Sequence, residues 1–313
     1  MQINSLNPLV TVGVPFYNAQ DYIIDTLDSI KSQTYTNIQL ILVNDCSTDE
    51  SLLLVKNWLI KNSDVFFNVI LIENLQNRGT SFSCKRLEEA ADGMFFCKLD
   101  ADDLIYPAKI STQVKFLLDH PEVAIVYSNT LLIDSKGKLL EDNYFAAQQF
   151  TCVSNNKGPA GFVFNKLLVE DFIPNSSVLI RKNILDSIGG YDESLFTEDW
   201  DLWLRISRIY PIAFMEGYFS YYRIHPQSVM RKSSSLVKMY WSCCKAVLKH
   251  RNLNKQYDRI IAKHLNTYVI GMYRLGVIDK VLLRKNISLN KTFKATIYFC
   301  FGILNLKINQ KLT

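Results

Sequence analysis

The first half of the chain alternates short apolar runs with amphipathic segments, and few folds accept that rhythm. The runs at 9–14, 38–43, 69–72 and 94–99 are only four to six residues long, the first three rich in Val, Ile and Leu and the fourth in Phe, which suits buried strands. Between them, Asn18 can cap a helix on which Ile23, Leu27 and Ile30 recur at helical spacing. Ser47-Thr48-Asp49-Glu50 has the S-x-x-E form of a capping box and opens a second helix running toward Trp58. A third helix is expected at 80–91. Strand, helix and strand in repeated succession predict βαβ units winding a parallel sheet.

Farther on, Pro107 suits the first turn of a helix ending near His120-Pro121, 123–127 continues the sheet, and 135–138 reads as a hairpin turn. Residues 141–160 are polar and aperiodic, so a long loop is expected there. Order returns at 174–181, with a helix to Ile188, a break at Gly189-Gly190 and a helix at 198–208. Beyond Ser233 the texture becomes helical and basic.

The net charge of +5 conceals two opposite halves. Residues 1–225 carry 18 basic and 28 acidic side chains, whereas 226–313 carry 17 and two. Such a tail interleaves Lys and Arg with Leu, Ile, Val and Phe, which favours an anionic membrane surface over nucleic acid. A helical region packing on the body, or a homodimer interface, is the plainer reading of the same charge. The apolar stretch 295–306 is too short to span a bilayer, and 1–10 lacks the features of a secretory signal. The seven cysteines are odd in number and form no C-x-x-C, so reduced thiols in a cytoplasmic protein are expected.

Three motifs are missing: no G-x-G-x-x-G follows the first strand, and neither a phosphate-binding G-x-x-x-x-G-K-[ST] nor a G-x-S-x-G occurs. Dehydrogenases, P-loop enzymes and α/β-hydrolases lose support accordingly. Instead, the first strand leads into Pro15-Phe16-Tyr17-Asn18, an aromatic corner that could cup a flat base or simply make a turn. The second ends in Asn44-Asp45-Cys46-Ser47-Thr48-Asp49, where a carboxylate can accept an imide proton or serve the following helix. Asp100-Ala101-Asp102-Asp103 follows the fourth. If this segment is extended, Asp100 and Asp102 share a side and can converge on a divalent cation; a solvated turn is the alternative. Acids at Glu198-Asp199 open a helix with Trp200 and Trp203, where Asp199 can be a general base or a favourable first-turn charge. His225, in Tyr222-Arg223-Ile224-His225-Pro226, is one of only four histidines.

Taken together, PFYN, VNDCSTDE, LDADD, GGYDESLFTEDWDLWLR and YRIHPQS, in this order over residues 8–232, resemble the family 2 glycosyltransferases. The resemblance implies an α/β GT-A fold: a Rossmann-like nucleotide-binding sheet at 8–130, an acceptor-binding half at 131–232, and here a basic, mainly helical extension at 233–313. It implies inverting transfer from a UDP-sugar to a glycan or lipid-linked acceptor in bacterial envelope polysaccharide assembly. By position, Asp45 would bind uracil in a pocket shaped by Pro15 and Tyr17, and Asp100 would contact the ribose or the metal. Asp102 and His225 would ligate Mn2+ or Mg2+, and Asp199 would be the catalytic base. Asn44 and Cys46 depart from the family's usual Asp and Gly, and the Q-x-x-R-W of processive members does not occur. Work on lipid-linked acceptors would place the protein peripherally on the inner face of the cell membrane. Two rival activities are a nucleotidyltransferase, whose expected glycine-rich phosphate loop is missing, and a noncatalytic sugar-nucleotide binder, which would not need Asp199.

Overall fold

Strands β1 (Val10–Phe16) and β2 (Ile38–Asn44) are buried along their whole length, which is why consecutive positions can all be apolar. The computed structural model describes residues 7–226, 233–290 and Tyr298. β1 runs parallel to β2, with Val10 opposite Ile38 and Phe16 opposite Asn44. Strand β3 (Asn68–Glu73) flanks β2, and β4 (Phe95–Lys98) lies on the other side of β1, both parallel. The crossovers are helices α1 (Ile23–Lys31), α2 (Ser51–Asn62) and α3 (Thr80–Glu89). On α1, Ile23, Leu27 and Ile30 are the buried stripe anticipated from their spacing. The chain winds outward through β2 and β3 and then returns to the far side of β1. That reversal opens a crevice at the carboxyl ends of the strands, where open α/β sheets bind ligands.

The sheet continues through β5 (Leu104–Ile105), β6 (Ile125–Ile133), β7 (Leu139–Asn143), β8 (Leu179–Arg181) and β9 (Ile212–Arg223). The order is β3-β2-β1-β4-β8-β6-β9-β5, with β7 on β6. The remaining helices are α4 (Lys109–Asp119), α5 (Tyr144–Gln148), α6 (Phe164–Leu167), α7 (Lys182–Ser187) and α8 (Glu198–Ser207). They are followed by α9 (Ser233–Leu248), α10 (Lys255–Arg274) and α11 (Lys280–Asn290). Two units result: Met1–Ser194 with Arg205–His225, and Leu195–Leu204 with Pro226–Thr313. In the second, the Ser242 hydroxyl accepts the backbone N–H groups of Phe196 and Thr197, fastening the entry to α8 onto α9. The six described cysteines are free. Among the described residues no helix is long and apolar enough to cross a membrane.

Local expectations fail at three places. Asn18 caps no helix: it takes a left-handed φ of 49°, and its side chain bonds the backbone and hydroxyl of Thr48, tying the loop after β1 to the loop after β2. The apparent capping box does not open α2, because the helix begins at Ser51 and Asp49 accepts the Ser51 N–H from outside it. The polar stretch 141–160 is not wholly loop, since it holds the end of β7 and α5, capped by the Asn143 side chain. Its apolar residues are too few to show a period.

Candidate active site

Three of the motifs lie at the carboxyl ends of β2, β1 and β4, three adjacent parallel strands. Pro15 is the penultimate residue of β1, opposite Val43, and Tyr17 just beyond is 47% exposed. The Asp45 N–H donates to the Phe16 carbonyl at 2.9 Å, so the first two motifs are joined by one ladder bond.

Asp45 is buried, but its carboxylate is well supplied. Oδ1 accepts from Asn74 Nδ2 at 2.8 Å and the Arg78 N–H at 3.0 Å, while Oδ2 accepts the Gly79 N–H at 2.7 Å. Gly79, with φ of 90°, makes the turn into α3 that aims these amides at Asp45. A carboxylate offers about four lone-pair sites, so three donors leave room for a further one.

After β4 the chain turns at once instead of running extended, with the Asp103 N–H closing on the Asp100 carbonyl at 3.1 Å. This corrects the alternation argument for a shared face. Asp100 points its oxygens to Lys98 Nζ at 2.6 Å and Asn175 Nδ2 at 3.0 Å, so the chain itself compensates its charge. Asp102 instead meets His225, Nε2 to Oδ2 at 2.8 Å. The contact sets Nε2 and Oδ2 face to face, and the imidazole tautomer decides which atoms donate and accept. Asp103 is wholly buried, accepting from Ser176 Oγ at 2.5 Å and the Arg223 N–H at 3.0 Å. Burial, then the charges of Asp102 and Asp100, hold its carboxyl well above the usual range, against those two hydrogen bonds. It is a buried brace of the turn.

Topology explains how residues 123 positions apart meet. β5 follows the acidic turn and pairs antiparallel with β9, Leu104 opposite Tyr221. Extending that register by two places sets Asp102 against Arg223, with His225 just beyond. The Tyr22 ring packs on His225 at 4.5 Å between centroids. Burial foremost, with the charges of Asp21 and Asp102, raises the Tyr22 phenol pKa, and the Arg223 charge opposes the rise.

Asp102 and His225 offer one carboxylate and one imidazole, two donors that a divalent cation can take, the carboxylate being the one suited to Mn2+ or Mg2+. His225 Nδ1 is buried without a hydrogen-bond partner among the described residues. No group of three or more His, Cys, Asp or Glu side chains among those residues could hold a metal alone. Two protein ligands are enough where substrate phosphates complete the shell. Asp199 lies in the first turn of α8, in the second unit, where its Oδ1 accepts the Trp200 N–H at 2.8 Å.

The family profile described as Glycosyl transferase family 2 matches residues 11–187. The chain belongs to that family. A relative in Rickettsia typhi, an uncharacterized glycosyltransferase, is 30% identical over 82% of this chain and 76% of its own length. Another, from Rickettsia felis, is 31% identical over 74% of this glycosyltransferase, which spans only 37% of that relative. Among solved structures, Staphylococcus aureus TarS residues 1–349 in complex with UDP-GlcNAc aligns with a TM-score of 0.63 at 18% identity, covering 94% of this chain and 79% of that one. The mannosyltransferase PcManGT of Pyrobaculum calidifontis, in complex with GDP-Man and Mn2+, aligns at 0.58 and 18% identity, covering 96% and 85%. The fold of this glycosyltransferase is GT-A, and the chain is a transferase enzyme.

Sequence reasoning named the acids of the first unit but not their supports. Asn74, Arg78 and Gly79 around Asp45, Lys98 and Asn175 around Asp100, and Tyr22 and Arg223 around His225 were missed. Lys98, two residues ahead of Asp100, and Arg223, two ahead of His225, carried a readable signal: a lone cation at the last position of a strand, two residues before a site residue.

Proposed function

We propose that this glycosyltransferase moves a sugar from a UDP-sugar to a hydroxyl of a glycan or lipid-linked acceptor during bacterial envelope polysaccharide synthesis, inverting the anomeric carbon. The observation that carries the reading is the Asp102–His225 pair, set at the carboxyl end of β4 by β9 and next to a charge-compensated Asp100. Asp102 and His225 would hold Mn2+ or Mg2+; the ion, when bound, supplies positive charge against the diphosphate of the donor and of the leaving UDP. Asp100, already neutralised by Lys98, accepts from the ribose hydroxyls. Asp45 uses its remaining lone pair for the uracil imide, with Pro15 and Tyr17 lining the base. Asp199 takes the proton of the acceptor hydroxyl as its oxygen attacks, and one displacement gives inversion. TarS, crystallised with UDP-GlcNAc, and PcManGT, with GDP-Man and Mn2+, support a nucleotide-sugar donor and a divalent ion. Attachment to the inner membrane face would bring the enzyme to lipid-linked acceptors.

A donor panel of UDP-sugars and GDP-mannose, incubated with Mn2+ and with or without membrane extract, tests the reading. Extract-dependent release of UDP from one UDP-sugar is the expected result. Turnover of GDP-mannose alone would overturn the assignment of the donor, and pyrophosphate release would indicate a nucleotidyltransferase.

A further inference from the structure

Arg223 is a fully charged side chain with 1% of its surface exposed. Taking a guanidinium out of water costs several kcal/mol unless its donors are met, so its partners define what it is for. Nε donates to the Asp102 carbonyl at 2.8 Å, one terminal nitrogen to the Ser135 carbonyl at 3.3 Å, and the other to Asp25 Oδ2 at 3.1 Å. Its own N–H is given to Asp103. The guanidinium lies over the Tyr22 ring, 5.0 Å from the centroid, and the same ring packs against His225. Asp25 is largely exposed, so that ion pair adds little stability. Four separate segments, the α1 entry, the acidic turn, the β6–β7 turn and the end of β9, converge on this one fork.

We infer that Arg223 is a positioning residue: it fixes the backbone at Asp102 and, through Tyr22 and its own strand, the ring of His225, so that both present their donor atoms to one divalent cation. The inference rests on the proposed cation role of Asp102 and His225 and goes beyond it. Lysine cannot replace arginine here, because a single ammonium has no planar fork to reach the Asp102 carbonyl, the Ser135 carbonyl and Asp25 together. Tyr22 acts with it as the spacer between guanidinium and imidazole.

The test is the UDP affinity of the full-length protein, measured by calorimetry with Mn2+ and again in EDTA. The ratio of the two affinities reports how well the cation couples to the nucleotide. In Arg223→Lys the ratio is expected to fall about tenfold or more, the usual effect of removing a support behind metal ligands, while affinity in EDTA changes by less than about twofold. Asp25→Ala, on an exposed residue, removes one arm of the clamp and is expected to lower the ratio by a smaller factor, and it decides the matter if Arg223→Lys does not fold. A ratio unchanged in the folded variants, or equal losses in both buffers, would reduce Arg223 to a structural role. A wild-type ratio of one would overturn the cation reading of Asp102 and His225 itself, and the assignment with it, so the two failures are told apart.

Discussion

Asp45 and Asp102 follow the two strands that flank β1, yet their surroundings divide the work between them. Asp45 has three donors from its own chain, so Asp45→Ala leaves Asn74 Nδ2 and two amides without their acceptor and also removes the proposed base contact. The expected outcome is at least a tenfold loss of UDP affinity by calorimetry together with a lower melting temperature. Asp102 is held by His225 and keeps part of its surface open. Asp102→Asn preserves shape and removes charge, so transfer is expected to fall more than about a hundredfold while UDP affinity in EDTA stays near wild type. Full activity of that variant in excess EDTA would contradict the cation role. Asp199→Asn is expected to cut kcat by about 10²–10⁴ with UDP affinity unchanged, as for a base that acts only when the acceptor reacts; a large affinity loss would make Asp199 structural.

Elements were legible in the sequence where a period was long enough to count. The strands of the parallel half and α1 follow from apolar spacing, since burial on both faces or on one stripe imposes it. Helix starts were less legible. Asn18 and Ser47 carry the chemistry of caps, but that chemistry binds any nearby backbone, and here it joins two loops. The site acids were legible as residue types at strand ends. Their clamp was not, because pairing Asp102 with Arg223 and His225 depends on β9 returning beside β5, a long-range choice that local pattern does not encode. Gly190 has φ of 65°, and a β-carbon there would meet the Glu88 carboxylate, which is buried and bonded to the Tyr191 N–H. Gly190→Ala is therefore expected to destabilise by roughly 1–3 kcal/mol in urea titrations. Helix α4 is anchored by Lys109, buried, with Nζ on Cys97 Sγ at 3.2 Å and the Val178 carbonyl at 2.9 Å. Burial lowers its pKa, and nearby Cys97 opposes this. Between the folded pKa and the ordinary lysine value the unfolded chain holds more protons, so this group makes stability rise with pH there. Subtracting urea melts of Lys109→Met from wild type between pH 7 and 9.5 should show that rise; a flat difference would place the folded pKa above that window and contradict the lowering.

At the scale of the whole molecule the strongest sequence signal is charge asymmetry, and the structure shows part of the surface that carries it. The apolar stretch 295–306 of the basic tail lies outside the described residues apart from Tyr298. The helices before it are described. On α10, Lys255, Arg259 and Lys263 are exposed at successive i, i+4 positions, and on α11 Lys280, Arg284 and Lys285 are exposed as well. Residues at this spacing lie on one face of a helix, so the α10 cations form a stripe. Basic side chains close to an anionic bilayer contribute about 1 kcal/mol each. Reversing Lys255, Arg259 and Lys263 to glutamate would remove at least about 3 kcal/mol, or roughly a hundredfold in partitioning. The expected outcome is flotation of the wild-type protein with phosphatidylglycerol-containing vesicles at low salt, little with neutral vesicles, and strong loss in the triple variant. Deleting 291–313 separates the contributions: if flotation persists without the tail and vanishes in the triple variant, the folded helices hold the enzyme at the membrane. Failure of the full-length protein to float with anionic vesicles at low salt would leave the basic faces as solvated surface and remove the membrane role.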